Sequence, residues 1–99
     1  MEITKNLDGT TLNMTLSGRL DASNAQTLTD ELNKSLDGVN DLIFDFTNLK
    51  YIASAGLRAL LMAQKRMNKQ GSMKICHVND TVMEVLEMTG FADLMKIEN

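Results

Sequence analysis

Between Asp41 and Gln70 the hydrophobic period changes from two to about 3.6, and it does so across a few small residues. Leu42-Ile43-Phe44-Asp45-Phe46 closes a strand, expected over Asp41 to Phe46, that is apolar enough to be central in a sheet. Leu57, Leu60, Leu61 and Met67 form the buried stripe of a helix expected to start at Ser54 or a neighbour and to run to about Gln70. At the junction, Ser54 is flanked by Ala53, Ala55 and Gly56, neighbours too small to cover its hydroxyl. A helix start presents unpaired N–H groups and the positive end of the macrodipole. Such a place accommodates an anion such as phosphate. The stretch Asp45 to Arg58, DFTNLKYIASAGLR, is therefore expected to be the functional centre.

The remaining elements follow from the same periodicities. Ile3 to Leu7 alternates weakly, Asp8-Gly9 is a hairpin signal, and Thr11 to Ser17 alternates with Leu12, Met14 and Leu16 on one side. Gly18-Arg19-Leu20-Asp21 breaks that pattern. Ser23 with Gln26 suggests a capping box opening a helix whose face carries Ala25, Leu28, Leu32 and Leu36, stopped near Gly38. The basic residues Lys65, Arg66 and Lys69 suit the C-terminal end of the Ser54 helix, and Gly71 ends it. Met73 to Val78 predicts a strand, Thr81 with Glu84 a second capping box before Val82, Val85 and Leu86, and Leu94 to Ile97 a last edge strand after Thr89-Gly90. The predicted order β-β-α-β-α-β-α-β is an α/β chain: an antiparallel hairpin followed by parallel pairing, in a small mixed sheet with helices mainly on one face.

Ninety-nine residues suffice for one domain over 1–99 with a single core. A net charge of −3 with three Phe and one Tyr argues against nucleic-acid partners, which need a basic face and stacking rings. No apolar run is long enough to insert in a membrane, no signal-peptide pattern opens the chain, and one cysteine fits a reducing compartment. A cytoplasmic protein without metal or cofactor is expected.

GRLDASN after the second strand, DFTNLKYIASAGLR, and the order of elements together resemble the STAS domain family over essentially the whole chain. More narrowly, they resemble the stand-alone bacterial anti-sigma factor antagonists. That resemblance implies that Ser54 is phosphorylated by a partner that is both anti-sigma factor and serine kinase. It implies further that the unphosphorylated form binds this partner and frees a sigma factor, and that a PP2C-type phosphatase resets the phosphorylated form. The family's Gly-x-Leu-Asp turn is matched by Gly18-Arg19-Leu20-Asp21, making Asp21 a candidate partner contact along with Ala53, Ser54, Ala55, Gly56, Leu57 and Arg58. Many members carry aspartate before the serine, where this chain has Ala53, and a second hydroxyl after it, where this chain has Ala55. An orienting carboxylate is therefore missing, and Ser54 is the only hydroxyl at that position.

Other readings stand beside this one. Ser54 is also a suitable N-cap, and the two roles are compatible. A STAS subunit docked on a transporter ATPase of the lipid-transport ABC type is the alternative from the same family. Ile52-Ala53-Ser54-Ala55-Gly56 is a degenerate nucleophile elbow, which raises a small serine hydrolase as a remote alternative. The first glycine is absent, however, and His77 precedes Asp80 and Asp93, the wrong order for that triad. His77 is expected to be a hydrogen-bonded strand residue and Cys76 a small buried hydrophobe. The eight methionines mostly fall at helical or strand core positions and are expected to serve packing first, Met83, Met88 and Met95 being able to leave a soft surface instead. Arg58 is either solvated or an interface contact.

Overall fold

The computed structural model describes residues 1–98. Strands β1 (Glu2–Asp8) and β2 (Thr11–Leu20) form an antiparallel hairpin closed at Gly9, whose φ of +63° suits the first loop position of a type II′ turn. Helix α1 (Ala25–Ser35) leads to β3 (Asp41–Ile52), α2 (Ser54–Gln70) to β4 (Ser72–Cys76), and α3 (Asp80–Met88) through a 3-10 turn (Phe91–Asp93) to β5 (Lys96–Glu98). The strands lie in the order β1-β2-β3-β4-β5, with β2 through β5 pairing in parallel. The mixed α/β sheet expected from the periodicity is present.

One sheet face builds the core. Leu12, Met14 and Leu16 of β2, Leu42, Phe44 and Phe46 of β3, and Met73 and Ile75 of β4 are all buried. They meet Leu28 and Leu32 of α1, Leu60, Ala63 and Met67 of α2, and Val82 and Leu86 of α3 in a single cluster. The alternate residues, including Asn13, Thr15, Asp45 and Lys74, occupy the opposite, polar face. Lys5 of edge strand β1 points to the helix side, where it pairs with Glu31 and donates to Ser35 Oγ at 3.1 Å. An inward charge of this kind keeps the edge from pairing with another strand.

The two long strands run further than the alternation predicts. β2 continues through Gly18 and β3 continues past Phe46, because β3 carries two extra residues relative to β2. Thr15 pairs with Asp45 but Ser17 with Asn48, and Gly18 pairs with Leu49 but Arg19 with Tyr51. Each bulge shifts the inward phase of β3 by one, so burial passes from Phe46 to Leu49 to Ile52. At the first bulge Asp45 Oδ1 accepts from Thr47 N at 2.9 Å and Thr47 Oγ1 at 2.6 Å. At the second, Gly18 takes φ +86°.

Other boundaries are corrected as well. Neither capping box forms: α1 begins after Asn24, which makes no side-chain cap bond, and Gln26 instead donates to Asp30 at 2.9 Å. α3 is capped by Asn79, whose Oδ1 accepts from Val82 N at 2.8 Å while its Nδ2 donates to Leu49 O at 2.8 Å. The fourth strand stops at Cys76 because His77 has φ +62°, so His77 is an exposed loop residue and Cys76 is half-buried. The last strand is Lys96–Glu98, with Leu94 left 56% exposed in the turn before it. Of the three methionines read as a soft surface, Met95 is buried, Met83 half-buried and Met88 79% exposed.

Gly71 ends α2 for a different reason than a left-handed cap. A Cβ there would lie 1.7 Å from the carbonyl oxygen of Asn40, which also accepts from Ser72 N at 2.8 Å. Gly71→Ala is expected to lower the urea midpoint, with unchanged slope, by the equivalent of about 3 kcal/mol, because backbone rather than a flexible side chain must move. A midpoint equal to wild type would contradict this contact.

Candidate functional site

Ser54 stands where the ends of β2 and β3 meet α2. Leu20 pairs with Ile52, and Ala53 N donates to Leu20 O at 2.9 Å, so the chain leaves the sheet tethered to the end of β2. Ala53 is extended (φ −108°, ψ 175°) and is itself the N-cap residue, without a side-chain cap bond. Ser54 is therefore the first helical residue rather than the cap, which corrects the simple capping role. Its side chain is exposed, and its hydroxyl bonds no described residue. The helix starts without side-chain help because packing holds it: a Cβ on Gly56 would lie 2.6 Å from Leu20 Cγ and 3.0 Å from Ile52 Cγ1. Leu57 is 4% exposed and belongs to the core. Of the stretch read as partner-facing, Gly56 and Leu57 are buried, Ser54 and Arg58 are exposed, and Ala53 and Ala55 are half-buried.

Asp21 follows directly on Leu20, so the paired strand ends bring it to the same rim as Ala53 and Ser54. Its Oδ1 accepts from Ser23 Oγ at 2.6 Å and Ser23 N at 3.0 Å, and Arg19 Nε lies 4.0 Å from Oδ2. The Ser23 hydroxyl, the Ser23 amide and the Arg19 charge hold the Asp21 carboxyl below its ordinary pKa. Arg19 also lies over the Tyr51 ring at 4.4 Å from its centroid. Asn24 fastens this turn: its Oδ1 accepts from Asp21 N at 3.0 Å and its Nδ2 donates to Arg19 O at 2.8 Å. Sequence reasoning passed over Asn24, although an Asn directly before a helical stripe is itself a turn signal.

His77 is not brought to Ser54. β4 ends with Cys76 opposite Asp45, while β3 continues to Ile52, a run of about 20 Å at ~3.3 Å per residue. The serine and the histidine needed for a hydrolase dyad are held apart.

The STAS domain family model matches residues 2–99. The chain belongs to the STAS domain family. It is 35% identical over 86 residues to BtrV of Bordetella bronchiseptica, which carries the name of an anti-sigma factor antagonist; the match covers 85% of this chain and 74% of BtrV. Among solved structures, the unphosphorylated anti-sigma factor antagonist SpoIIAA superposes with a TM-score of 0.85 at 18% identity, covering 99% of this chain and 89% of SpoIIAA. A sulfate transporter family protein from Wolinella succinogenes superposes with a TM-score of 0.80 at 18% identity over 95% of this STAS chain and 80% of the other. The two structural likenesses establish a shared fold; the sequence relative is the more specific match.

The bulge carboxylate Asp45 resembles Asp21 in its chemistry: the Thr47 hydroxyl and amide, with the nearby His77, hold it below its ordinary pKa against partial burial. Both groups bind fewer protons in the native STAS domain than in the unfolded chain. Their stabilisation is full above the ordinary carboxylate range near pH ~4 and is lost as pH falls through the lowered native values. Asp45→Asn, which retains an acceptor but cannot ionise, is expected to flatten the acid limb of stability measured by urea midpoints between about pH 7 and 3. An acid limb as steep as wild type would contradict the assignment.

Proposed function

We propose that this STAS protein is an anti-sigma factor antagonist, and that its partner surface is the rim formed by Asp21, Ala53, Ser54 and Arg58. Phosphorylation of Ser54 by an anti-sigma factor with serine kinase activity switches it off, and a PP2C-type phosphatase restores it. The observation that carries this reading is the bare Ser54 hydroxyl, on the first residue of a helix whose start uses no side-chain cap. A kinase can reach that hydroxyl without unfolding anything, and the fold loses no hydrogen bond when it is modified. The relationship to BtrV supports the antagonist role over a transporter-docked subunit.

Phosphorylation adds about −1.5 to −2 charges and three acceptor oxygens. At the first turn of α2 these face open backbone N–H groups and the positive end of the helix, an interaction worth roughly 0.3–1 kcal/mol in favour of the modified fold. The added charge and bulk therefore act on the partner rather than on the domain. The missing carboxylate at Ala53 leaves orientation of the serine to the Ala53–Leu20 hydrogen bond.

Incubation with ATP and extract of the source cells is expected to add one phosphate to the wild-type protein, mapped to Ser54 by peptide mass spectrometry and absent from Ser54→Ala. Ser54→Asp is expected to bind the purified kinase at least about tenfold more weakly, with a melting temperature close to wild type. Equal losses of binding and stability in Ser54→Asp, or no phosphate on Ser54 while other substrates are labelled, would overturn the switch.

A further inference from the structure

The N-terminal halves of α1 and α2 leave a groove of about 270 Å³ between them. Small residues create it. Ala25 and Ala59 are buried at 8% and 4% exposure and make the floor, while Ala55, Thr29 and Met62 are half-buried along its length. Ala55 directly follows Ser54, so the groove opens at the foot of the phosphorylatable serine.

Arg58 is the one charged side chain lining this groove. It is exposed and makes no ion pair or hydrogen bond with any described residue. The other two arginines are committed: Arg19 lies over Tyr51 and beside Asp21, and Arg66 donates to Asp37 at 2.5 Å. Arg58 follows Ser54 by four residues, a helical spacing that places the two Cβ atoms about 5–6 Å apart. Helical side chains lean towards the N-terminus, which aims Arg58 back at Ser54.

We propose that this groove is a docking surface for an acidic, apolar segment of the anti-sigma factor. An apolar side chain of the segment fills the alanine-lined seam, and a neighbouring carboxylate pairs with Arg58. A phosphoryl group on Ser54 closes the surface by taking the same guanidinium, because a local Arg–phosphate pair is charge-assisted and suited to two parallel hydrogen bonds. The two anions compete for one cation, and the phosphate has the advantage of being on the same helix. This mechanism rests on Ser54 as the switch, and it gives the switch a specific contact to remove.

The test uses the full chain and the kinase purified by its activity on Ser54, with thermal unfolding of every variant recorded alongside. Thr29→Tyr, which fills the seam far from the serine, and Arg58→Glu, which reverses the rim charge, are each expected to weaken kinase binding about tenfold or more at near wild-type stability. Gln26→Trp, on the exposed rim of the same groove, replaces Thr29→Tyr if that variant does not fold. In the Ser54-phosphorylated protein, the second phosphate pKa read by ³¹P NMR is expected to be lower in wild type than in Arg58→Gln. Wild-type binding by the seam and rim variants, with binding still lost in Ser54→Asp, would overturn the groove and leave the switch standing. Wild-type binding by Ser54→Asp as well would overturn both. A phosphate pKa indifferent to Arg58 would overturn the competition for the guanidinium.

Discussion

The contact on which this molecule depends is the descent of α2 onto the ends of β2 and β3 at Gly56. A side chain there would force the Leu20 and Ile52 side chains to move, since the first added carbon would lie 2.6 Å from Leu20 Cγ. The backbone of the first helical turn therefore rests on Leu20 and Ile52, both buried at 1% exposure or less. Once Gly56 and Leu57 face the core, helical geometry turns Ser54 and Arg58 outwards. Exposure of the serine is thus a property of the core packing beneath it. It does not require a mobile loop.

The same rim needs β3 to reach well beyond its neighbour β4, and two bulges in β3 accompany that reach. Asp45 stabilises the first by binding Thr47 through backbone and hydroxyl, and Gly18 of β2 stands opposite the second. Asn79 then secures the overhang, capping α3 with one side-chain atom and holding Leu49 O with the other. At the neighbouring strand end, Asn24 ties Asp21 to Arg19 in the same manner. Polar side chains close to the bulges and strand ends thus carry the geometry that hydrophobic packing alone would leave loose.

Much of this was legible in the residues. The alternation of Leu12, Met14 and Leu16, the helical stripe from Leu57 to Met67, and the small residues around Ser54 gave the order of elements and put Ser54 at the junction of β3 and α2. The extent of β3 was not legible, because a bulge moves the buried phase from Phe46 to Leu49 and erases the period-two signal that marks a strand. The helix starts were misread for a related reason: Ser23 and Thr81 each have a suitable partner three residues on, but Asn24 and Asn79 take the turn positions. The left-handed turn at His77 and the approach of Asn40 to Gly71 are tertiary facts that no local pattern announces. The groove beside Arg58 is of that kind too, since it requires α1 and α2 to lie side by side.

In the proposed switch Ser54 is displayed by a scaffold complete without it, so that phosphate alters the surface and not the fold. The most direct measurement compares ¹H–¹⁵N spectra of the protein with serine and with genetically encoded phosphoserine at position 54. Shifts confined to the first turn of α2, to Asp21 and its neighbours, and to the Arg58 side chain are the expected result. Shifts spreading through the core amides of α1, β2 and β3, such as those of Leu28, Leu16 and Phe44, would mean that the domain itself rearranges, and would contradict the account.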